Sequence, residues 1–445
     1  MARQLFGTDG IRGVAGEYPL DPRTVTAVGS ALGKWIEASG HEQQVVIGMD
    51  TRESGPELAA SIAGGLARHG IGVDFAGLTT TPGVAYLAKN GPFAAGVMIS
   101  ASHNPYRDNG IKLLAHTGYK LPDEREEALE RDIFAIMSNG LEPAFARLHV
   151  DEELDRAYME HLAATVPVSF EGLDIVADCA NGSATHLAPA LFSQLGANVI
   201  AIGVSPDGRN INLNSGSLHL DALREAVRKE GADVGVAFDG DADRALFVSG
   251  DGKIIDGDAV LLIAARHLKS QGKLPGDVVV ATVMSNLGLE RALAAHGIEL
   301  LRTPVGDKYV LEEMLRIGAG LGGEQSGHVI FRDYATTGDG MLTALRIFEV
   351  MVSTGQTLDE LASELHVYPQ KLVNIRVKER KPLDELPSVQ QEIHAAETAF
   401  GAAGRVFVRF SGTEPLARVM VEGADAAMVE DSAERIAAAI RRELA

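Results

Sequence analysis

Residues Ile99-Ser-Ala-Ser-His-Asn-Pro105 carry an apolar run over 94–100 straight into a serine, a histidine and an Asn-Pro break. A strand that ends on such a turn projects Ser102 from its carboxyl end, the side on which open α/β sheets bind ligands. Outward from this point the pattern predicts strands over 44–49, 73–78 and 93–100 with a helix over 56–69. Such alternation predicts right-handed βαβ units and a largely parallel sheet. It restarts with strand 173–178, helix 187–195, strand 198–202, helix 218–230 and strand 233–238. A third set comes next: helix 256–270, strand 277–282, helix 286–296, strand 299–303 and helix 307–317. After Tyr368-Pro369 the order becomes strand 371–377, helix 386–400, strands 405–410 and 417–422, and helix 426–443, a small α+β arrangement. The expected fold class is α/β, with three similar mixed α/β domains over 1–165, 166–252 and 253–368 and a smaller C-terminal α+β domain over 369–445. Linkers are expected at 164–170 and at the polar turn 249–253.

Size supports the division, because 445 residues exceed what one hydrophobic core can organise. With 46% hydrophobic residues, 5% aromatic and 49 glycines, the composition is that of a globular α/β protein rich in βα turns. Forty basic against 61 acidic residues leave a net charge of −21, which repels nucleic acid and anionic lipid. No nucleic acid and no membrane partner is expected. An anionic substrate then requires a local basic pocket. Cys179 is the only cysteine, so neither an internal disulfide nor a cysteine metal site forms, in keeping with a reducing cytoplasm. The first ten residues contain no apolar signal segment, and the longest apolar runs, such as 278–284, fall far short of the roughly 20 residues that span a bilayer.

Phe238-Asp-Gly-Asp-Ala-Asp-Arg244 sets Asp239, Asp241 and Asp243 at alternate positions after a strand. Hard oxygen ligands so grouped suit Mg²⁺ shared with a phosphate oxygen. An EF-hand is excluded, since its glycine and glutamate positions hold Arg244 and Gly250. A solvated acidic turn is the plainer account, but three neighbouring carboxylates repel one another without a cation. Ser102 is a weak nucleophile unless assisted, and His103, Lys112 and a cation stand as its helpers. Read alone, a Ser-His pair more often simply caps a turn with the histidine in solvent.

Gly322-Gly-Glu-Gln-Ser-Gly-His328 offers Glu324 as acceptor and Ser326 as donor for sugar hydroxyls, or else forms an ordinary tight turn. Arg409-Phe-Ser-Gly-Thr-Glu-Pro415 joins two strands, with Arg418 beyond it. Amides of a Ser-Gly-Thr turn between guanidinium groups receive a phosphate; the alternative is a hairpin with incidental charges. Arg12, within Phe6-Gly-Thr-Asp-Gly-Ile-Arg-Gly13, would neutralise a phosphoserine. Lys112, within Asp108-Asn-Gly-Ile-Lys112, would act as acid or base if desolvation or neighbouring cations lowered its pKa. Both segments read equally well as surface loops.

Taken in order, these runs resemble the α-D-phosphohexomutase superfamily over essentially the whole chain, and within it the phosphoglucosamine mutases. The first matches the superfamily's phosphoserine loop, the aspartate run its metal loop, Gly-Glu-Gln-Ser-Gly-His its sugar loop and Arg-Phe-Ser-Gly-Thr-Glu-Pro its phosphate loop. The opening Phe6–Gly13 run, Gln325 and Ser411-Gly-Thr-Glu-Pro415 with Arg418-Val-Met-Val-Glu-Gly423 look like the glucosamine branch. Lys308 departs from the arginine many relatives carry, which puts a bidentate contact there in doubt.

The resemblance implies a heart-shaped, four-domain molecule with a central cleft. It implies isomerisation of glucosamine 6-phosphate to glucosamine 1-phosphate, leading to UDP-N-acetylglucosamine for the bacterial envelope, through phosphoserine and a 1,6-bisphosphate that turns over in the cleft. Implied catalytic residues are Ser102, His103, Lys112 and Arg12; substrate-binding residues are Glu324, Ser326, His328, Arg409, Ser411, Gly412, Thr413 and Arg418. Mg²⁺ would be held by Asp239, Asp241, Asp243 and phosphorylated Ser102, with the phosphate primed by a hexosamine or hexose 1,6-bisphosphate. The partner is a small phosphosugar, and a homodimer is left open. Competing readings are a phosphoglucomutase/phosphomannomutase, a metal-dependent phosphatase, a sugar-phosphate sensor and a kinase, the last lacking any Gly-x-x-x-x-Gly-Lys-Ser/Thr run.

Overall fold

Apolar residues on alternate positions of Gln44–Met49 and Ala95–Ile99 decide how the first sheet is covered. Val45, Ile47, Val97 and Ile99 share one core with the helices Pro22–Ser39, Gly55–Ala67 and Asp123–Ser138. Val46 and Met98 point the other way, into a core closed by Thr81–Asn90. The computed structural model describes residues 4–7, 9–379, 381–410 and 415–444. It divides into a unit of Met1–Met284 with Leu300–Ser363 and a unit of Ser285–Glu299 with Glu364–Ala445.

In the larger unit the first sheet runs in the order Phe6–Gly7, Gly10–Val14, Asp108–Ala115, Ala95–Ile99, Gln44–Met49, Gly72–Leu78. The last three are parallel and the first three antiparallel, so the sheet is mixed where a largely parallel one was expected. The reason is connection length. Ala95–Ile99 returns to Asp108–Ala115 through 100–107, too short for the dozen or more residues of a parallel crossover. The serine run is therefore a hairpin tip.

The same device recurs. Val234–Phe238 lies parallel to Asp174–Asp178 and turns back antiparallel into Ala245–Ser249, pairing Phe238 with Ala245 around the aspartate run. Leu321–Gly323 lies parallel to Val278–Thr282 and returns as Val329–Phe331, pairing Gly323 with Val329 around 324–328. The polar turn at 249–253, expected as a linker, closes a further antiparallel pairing in which Val248 faces Ile254. Lys112, for which a surface loop was one of two readings, lies within strand Asp108–Ala115 and is 2% exposed.

In the smaller unit Gln370–Arg376, Leu416–Gly423 and Gly404–Phe410 form an antiparallel sheet in that order. Val373, Ile375, Val419 and Val421 pack on Pro387–Phe400 and Ala426–Leu444. Helix Leu287–Ala295 belongs to this unit. Asn286 caps it through Gly288 N at 2.9 Å and also exchanges hydrogen bonds with both backbone groups of Tyr368. Among the described residues no helix is long and apolar enough to cross a membrane.

Helices Pro22–Ser39 and Gly55–Ala67 touch through glycine. A Cβ at Gly29 would stand 2.1 Å from Ile62 O, and one at Gly65 2.2 Å from Thr26 O. Alanine gains up to about 1 kcal/mol of helix propensity over glycine, but here the clash with backbone wins. Gly29→Ala is expected to lower unfolding free energy by about 2–3 kcal/mol in urea titrations; a stabilised variant would contradict this packing.

Candidate active site

The serine and aspartate hairpin tips meet. Ser102 is 2% exposed, and its Oγ donates to Asp239 Oδ2 at 2.6 Å with His103 Nδ1 at 3.3 Å. Its backbone adopts φ 54°, left-handed for a residue bearing a Cβ, and Ala242 in the facing loop adopts φ 56°. Such strain persists where the surroundings enforce it.

Asp239, Asp241 and Asp243 are buried and present carboxylate oxygens within 4.8 Å of one another. Asp239 Oδ1 accepts from Arg244 N at 3.2 Å. Asp241 Oδ2 accepts from Lys112 Nζ at 2.7 Å and Thr81 Oγ1 at 2.5 Å. Asp241 Oδ1 and Asp243 Oδ1 are buried with no hydrogen-bond partner among the described residues. Two orphaned hard oxygens in a three-carboxylate cluster fit a divalent cation. Burial, then the charges of Asp243 and Asp241, push the Asp239 carboxyl well above its usual range. Burial pushes Asp241 the same way, but Lys112 and Thr81 hold it below the usual range.

Lys112 corrects one expectation. Burial would lower its pKa, but Asp241, Asp9 and Asp243 raise it well above the ordinary value. Its Nζ lies 2.7 Å from Asp241, 3.2 Å from Asp9 and 3.5 Å from Asp243. It is a fixed cation, not a lysine poised to lose its proton. Strand periodicity places it on the face of Leu114, which is covered by the helix bearing Thr81. His103 is lowered to about 4 by burial and then by Arg244 and Arg12, so its ring is neutral near pH 7. Arg12 Nη2 pairs with Asp9 Oδ2 at 2.6 Å.

Asp9 continues outward to a chain of alternating charge. Lys120 Nζ bridges Asp9 Oδ1 at 2.5 Å and Asp307 Oδ2 at 2.6 Å, and Asp307 Oδ2 stands 3.8 Å from His328 Nε2. His328 is 2% exposed, and its ring nitrogens and Ser326 Oγ have no hydrogen-bond partner among the described residues. Glu324 Oε1 accepts from Gly306 N at 3.2 Å. The sugar-loop candidate joins the aspartate hairpin through Ala245 N to Gly327 O at 3.1 Å. Lys308 is turned to Asp123 and Glu312.

Sequence reading missed Asp9, Thr81, Lys120, Arg244 and Asp307 as members of this cluster. Asp9 and Arg244 sit inside the N-terminal and aspartate runs; nothing local marks the other three. A further support is Asp339, which caps helix Gly340–Thr354 through Leu342 N at 2.9 Å and accepts from Tyr158 Oη at 2.8 Å. Gly340 N in turn donates to Ala242 O at 2.9 Å, tying that helix to the aspartate loop.

The smaller unit holds Arg409 directly opposite Arg418 on paired strands. Burial, then the Arg418 charge, lowers the Arg409 pKa. Ser411, Gly412 and Thr413 lie outside the described residues.

Four family matches cover nearly all of the chain, described as phosphoglucomutase/phosphomannomutase α/β/α domain I over 3–140, domain II over 156–252, domain III over 256–368 and the C-terminal domain over 372–439. A phosphoglucosamine mutase of Solibacter usitatus is 59% identical over 444 residues, covering 100% of both chains. One of Koribacter versatilis is 50% identical, covering 99% of this chain and 97% of its own. Among solved structures, a phosphoglucomutase/phosphomannomutase family protein of Burkholderia thailandensis aligns with TM-score 0.82 at 25% identity over 99% of this chain and 98% of its own. An Aspergillus fumigatus N-acetylphosphoglucosamine mutase, in complex with GlcNAc-6P and magnesium, shares the fold at TM-score 0.69 and 20% identity over 99% and 96%.

Burial raises Asp339 to about 6, against the bonds from Leu342 N and Tyr158. A carboxyl raised on folding keeps its proton longer in the native state, so its contribution is full below about pH 4 and is lost as pH rises to about 6. Asp339→Asn should remove that component, worth roughly 3 kcal/mol. Urea denaturation of both proteins at pH 4, 5, 6 and 7 tests this; parallel stability profiles would refute it.

Proposed function

The chain belongs to the phosphoglucomutase/phosphomannomutase family, and we propose that it interconverts glucosamine 6-phosphate and glucosamine 1-phosphate through a phosphate carried on Ser102. The observation that carries this reading is the 2.6 Å contact of Ser102 Oγ with Asp239, beside two orphaned carboxylate oxygens. Full-length relatives bearing the name phosphoglucosamine mutase favour the amino sugar over glucose or mannose phosphates.

Asp239, Asp241 and Asp243 would hold Mg²⁺, which when bound supplies positive charge for a transferring phosphoryl group. In the forward direction the bond from the Ser102 oxygen to phosphorus breaks as a sugar hydroxyl oxygen bonds to it. The sugar hydroxyl proton needs an acceptor and the departing Ser102 oxygen needs a proton, and a neutral His103 ring 3.3 Å from Ser102 Oγ supports passing it from one to the other. Lys112, held protonated, acts by charge, and Arg12 joins it near the phosphate. Glu324, Ser326 and His328 would bind sugar hydroxyls. Arg409, Ser411, Gly412, Thr413 and Arg418 would hold the phosphate that is not reacting; opposed like charges at 409 and 418 favour an anion between them. The 1,6-bisphosphate then returns its other phosphate to Ser102, and a hexosamine or hexose 1,6-bisphosphate primes the empty serine. We assign the four family domains to 1–165, 166–252, 253–368 and 369–445, and the enzyme to the cytoplasm, in keeping with its single buried thiol.

A coupled assay with glucosamine, glucose and mannose 6-phosphates, Mg²⁺ and a trace of bisphosphate should show the highest kcat/KM with glucosamine 6-phosphate. Ser102→Ala should fold and lose on the order of a thousandfold or more in kcat; near-normal turnover would end the covalent reading. Arg409→Ala should raise KM about tenfold with kcat little changed, and an unchanged KM removes it from the site.

A further inference from the structure

Behind Ser102 the peptide itself is gripped. Ser102 O and Asn104 O face the same two side chains. Arg52 Nη2 donates to them at 3.1 and 2.7 Å, and Asn212 Nδ2 at 3.0 and 3.2 Å. Arg52 is 1% exposed, and buried Asp50 accepts from its backbone N at 3.0 Å and pairs with its guanidinium. Asn212 is 9% exposed and reaches in from the segment between Asn198–Ile202 and Asp221–Glu230, with its own N bonded to Ala180 O at 2.9 Å. Gly240 of the aspartate loop closes the stack. A Cβ there would meet Ser102 O at 2.5 Å and Asn212 Nδ2 at 2.9 Å.

The left-handed conformation of Ser102 costs on the order of 1–3 kcal/mol and lasts only where its surroundings over-determine it. Relaxing it would swing Oγ away from Asp239. Arg52 comes from the stretch matched to family domain I and Asn212 from that matched to domain II, so the grip spans the two segments that supply Ser102 and Asp239. We propose that Arg52 and Asn212 are positioning residues that hold Ser102 at the transfer geometry against the aspartate loop. The proposal rests on Ser102 being the phosphate carrier. Its consequence is kinetic: after giving up its phosphate the serine oxygen must stay in place to recapture the bisphosphate, and a released loop lets that intermediate escape.

Asn212→Gly tests this, because glycine adopts φ 58° freely while the amide donor is lost. Asn212→Asp, which keeps the outline but sets an oxygen against two carbonyls, provides the same readout should the glycine variant fold poorly. The expected result is a kcat lowered on the order of tenfold to a hundredfold, KM within about twofold, and a stronger requirement for added glucose 1,6-bisphosphate. Intact mass after turnover should show phosphate missing from Ser102 in most of the variant. A kcat and phosphate occupancy within about twofold of the parent protein would overturn the proposal, as would a raised KM at unchanged kcat. Parent protein that neither turns over nor carries phosphate would instead refute Ser102 as carrier.

Discussion

A single hydrogen bond, from the Ser102 hydroxyl to the Asp239 carboxylate, joins the two loops on which the proposed chemistry depends. It is made between hairpin tips of different sheets, 137 residues apart in the chain. Neither side is at ease without the other. Ser102 holds a backbone conformation that a side chain disfavours, and Asp239 is buried against two further carboxylates that raise its pKa. Buried like charges are tolerated only when opposite charge or a proton relieves them. Lys112 supplies part of that relief from the middle of a strand, and the oxygens left over are those a cation would take.

One architectural device serves the site repeatedly. In each sheet of the larger unit a buried parallel strand reverses into an antiparallel neighbour, and the reversal carries the polar run. Parallel strands give each loop a rigid, buried stem, while the hairpin return keeps it short enough to have few conformations. In the smaller unit the arginine pair stands instead on two antiparallel strands, with Phe410 opposite Ala417 beside it. Glycine permits the loops to touch: Gly240 lies on the Ser102 carbonyl and Gly182 on the Gly240 carbonyl, with 2.5 Å separating that oxygen from any Cβ at 182.

Electrostatics at the centre run against the charge of the whole chain. The protein carries −21, yet Arg12, Lys112, Lys120 and Arg244 gather around the aspartates in a chain of alternating sign that reaches His328 through Asp9 and Asp307. Buried pairs of this kind contribute little net stability after desolvation. Their value is orientation: Asp9, Asp241, Asp243 and Asp307 each have a cationic neighbour, while Asp239 is held by the Ser102 hydroxyl and the Arg244 backbone N–H.

The serine, aspartate, sugar and phosphate runs were legible because each is local. A few polar residues interrupt an apolar strand at a glycine or proline, and periodicity alone locates the strand ends; Asn198–Ile202, Glu299–Thr303 and Asp307–Ile317 fall where the pattern places them. The direction of strand pairing was less legible, because a hairpin return and a crossover begin with the same apolar run and differ only in the length and composition of the connection after it. The protonation of Lys112 was not legible at all. Its sign depends on Asp9 and Asp241, 103 and 129 residues away, and desolvation and pairing push in opposite directions. Arg52 and Asn212 were hidden for the same reason, since their partners are backbone carbonyls, which every residue has. Sequence by itself determined that the polar runs follow strands and which of their side chains are candidates for the chemistry. Tertiary structure alone decided their charge states and mutual distances, because these come from groups brought together across separate sheets.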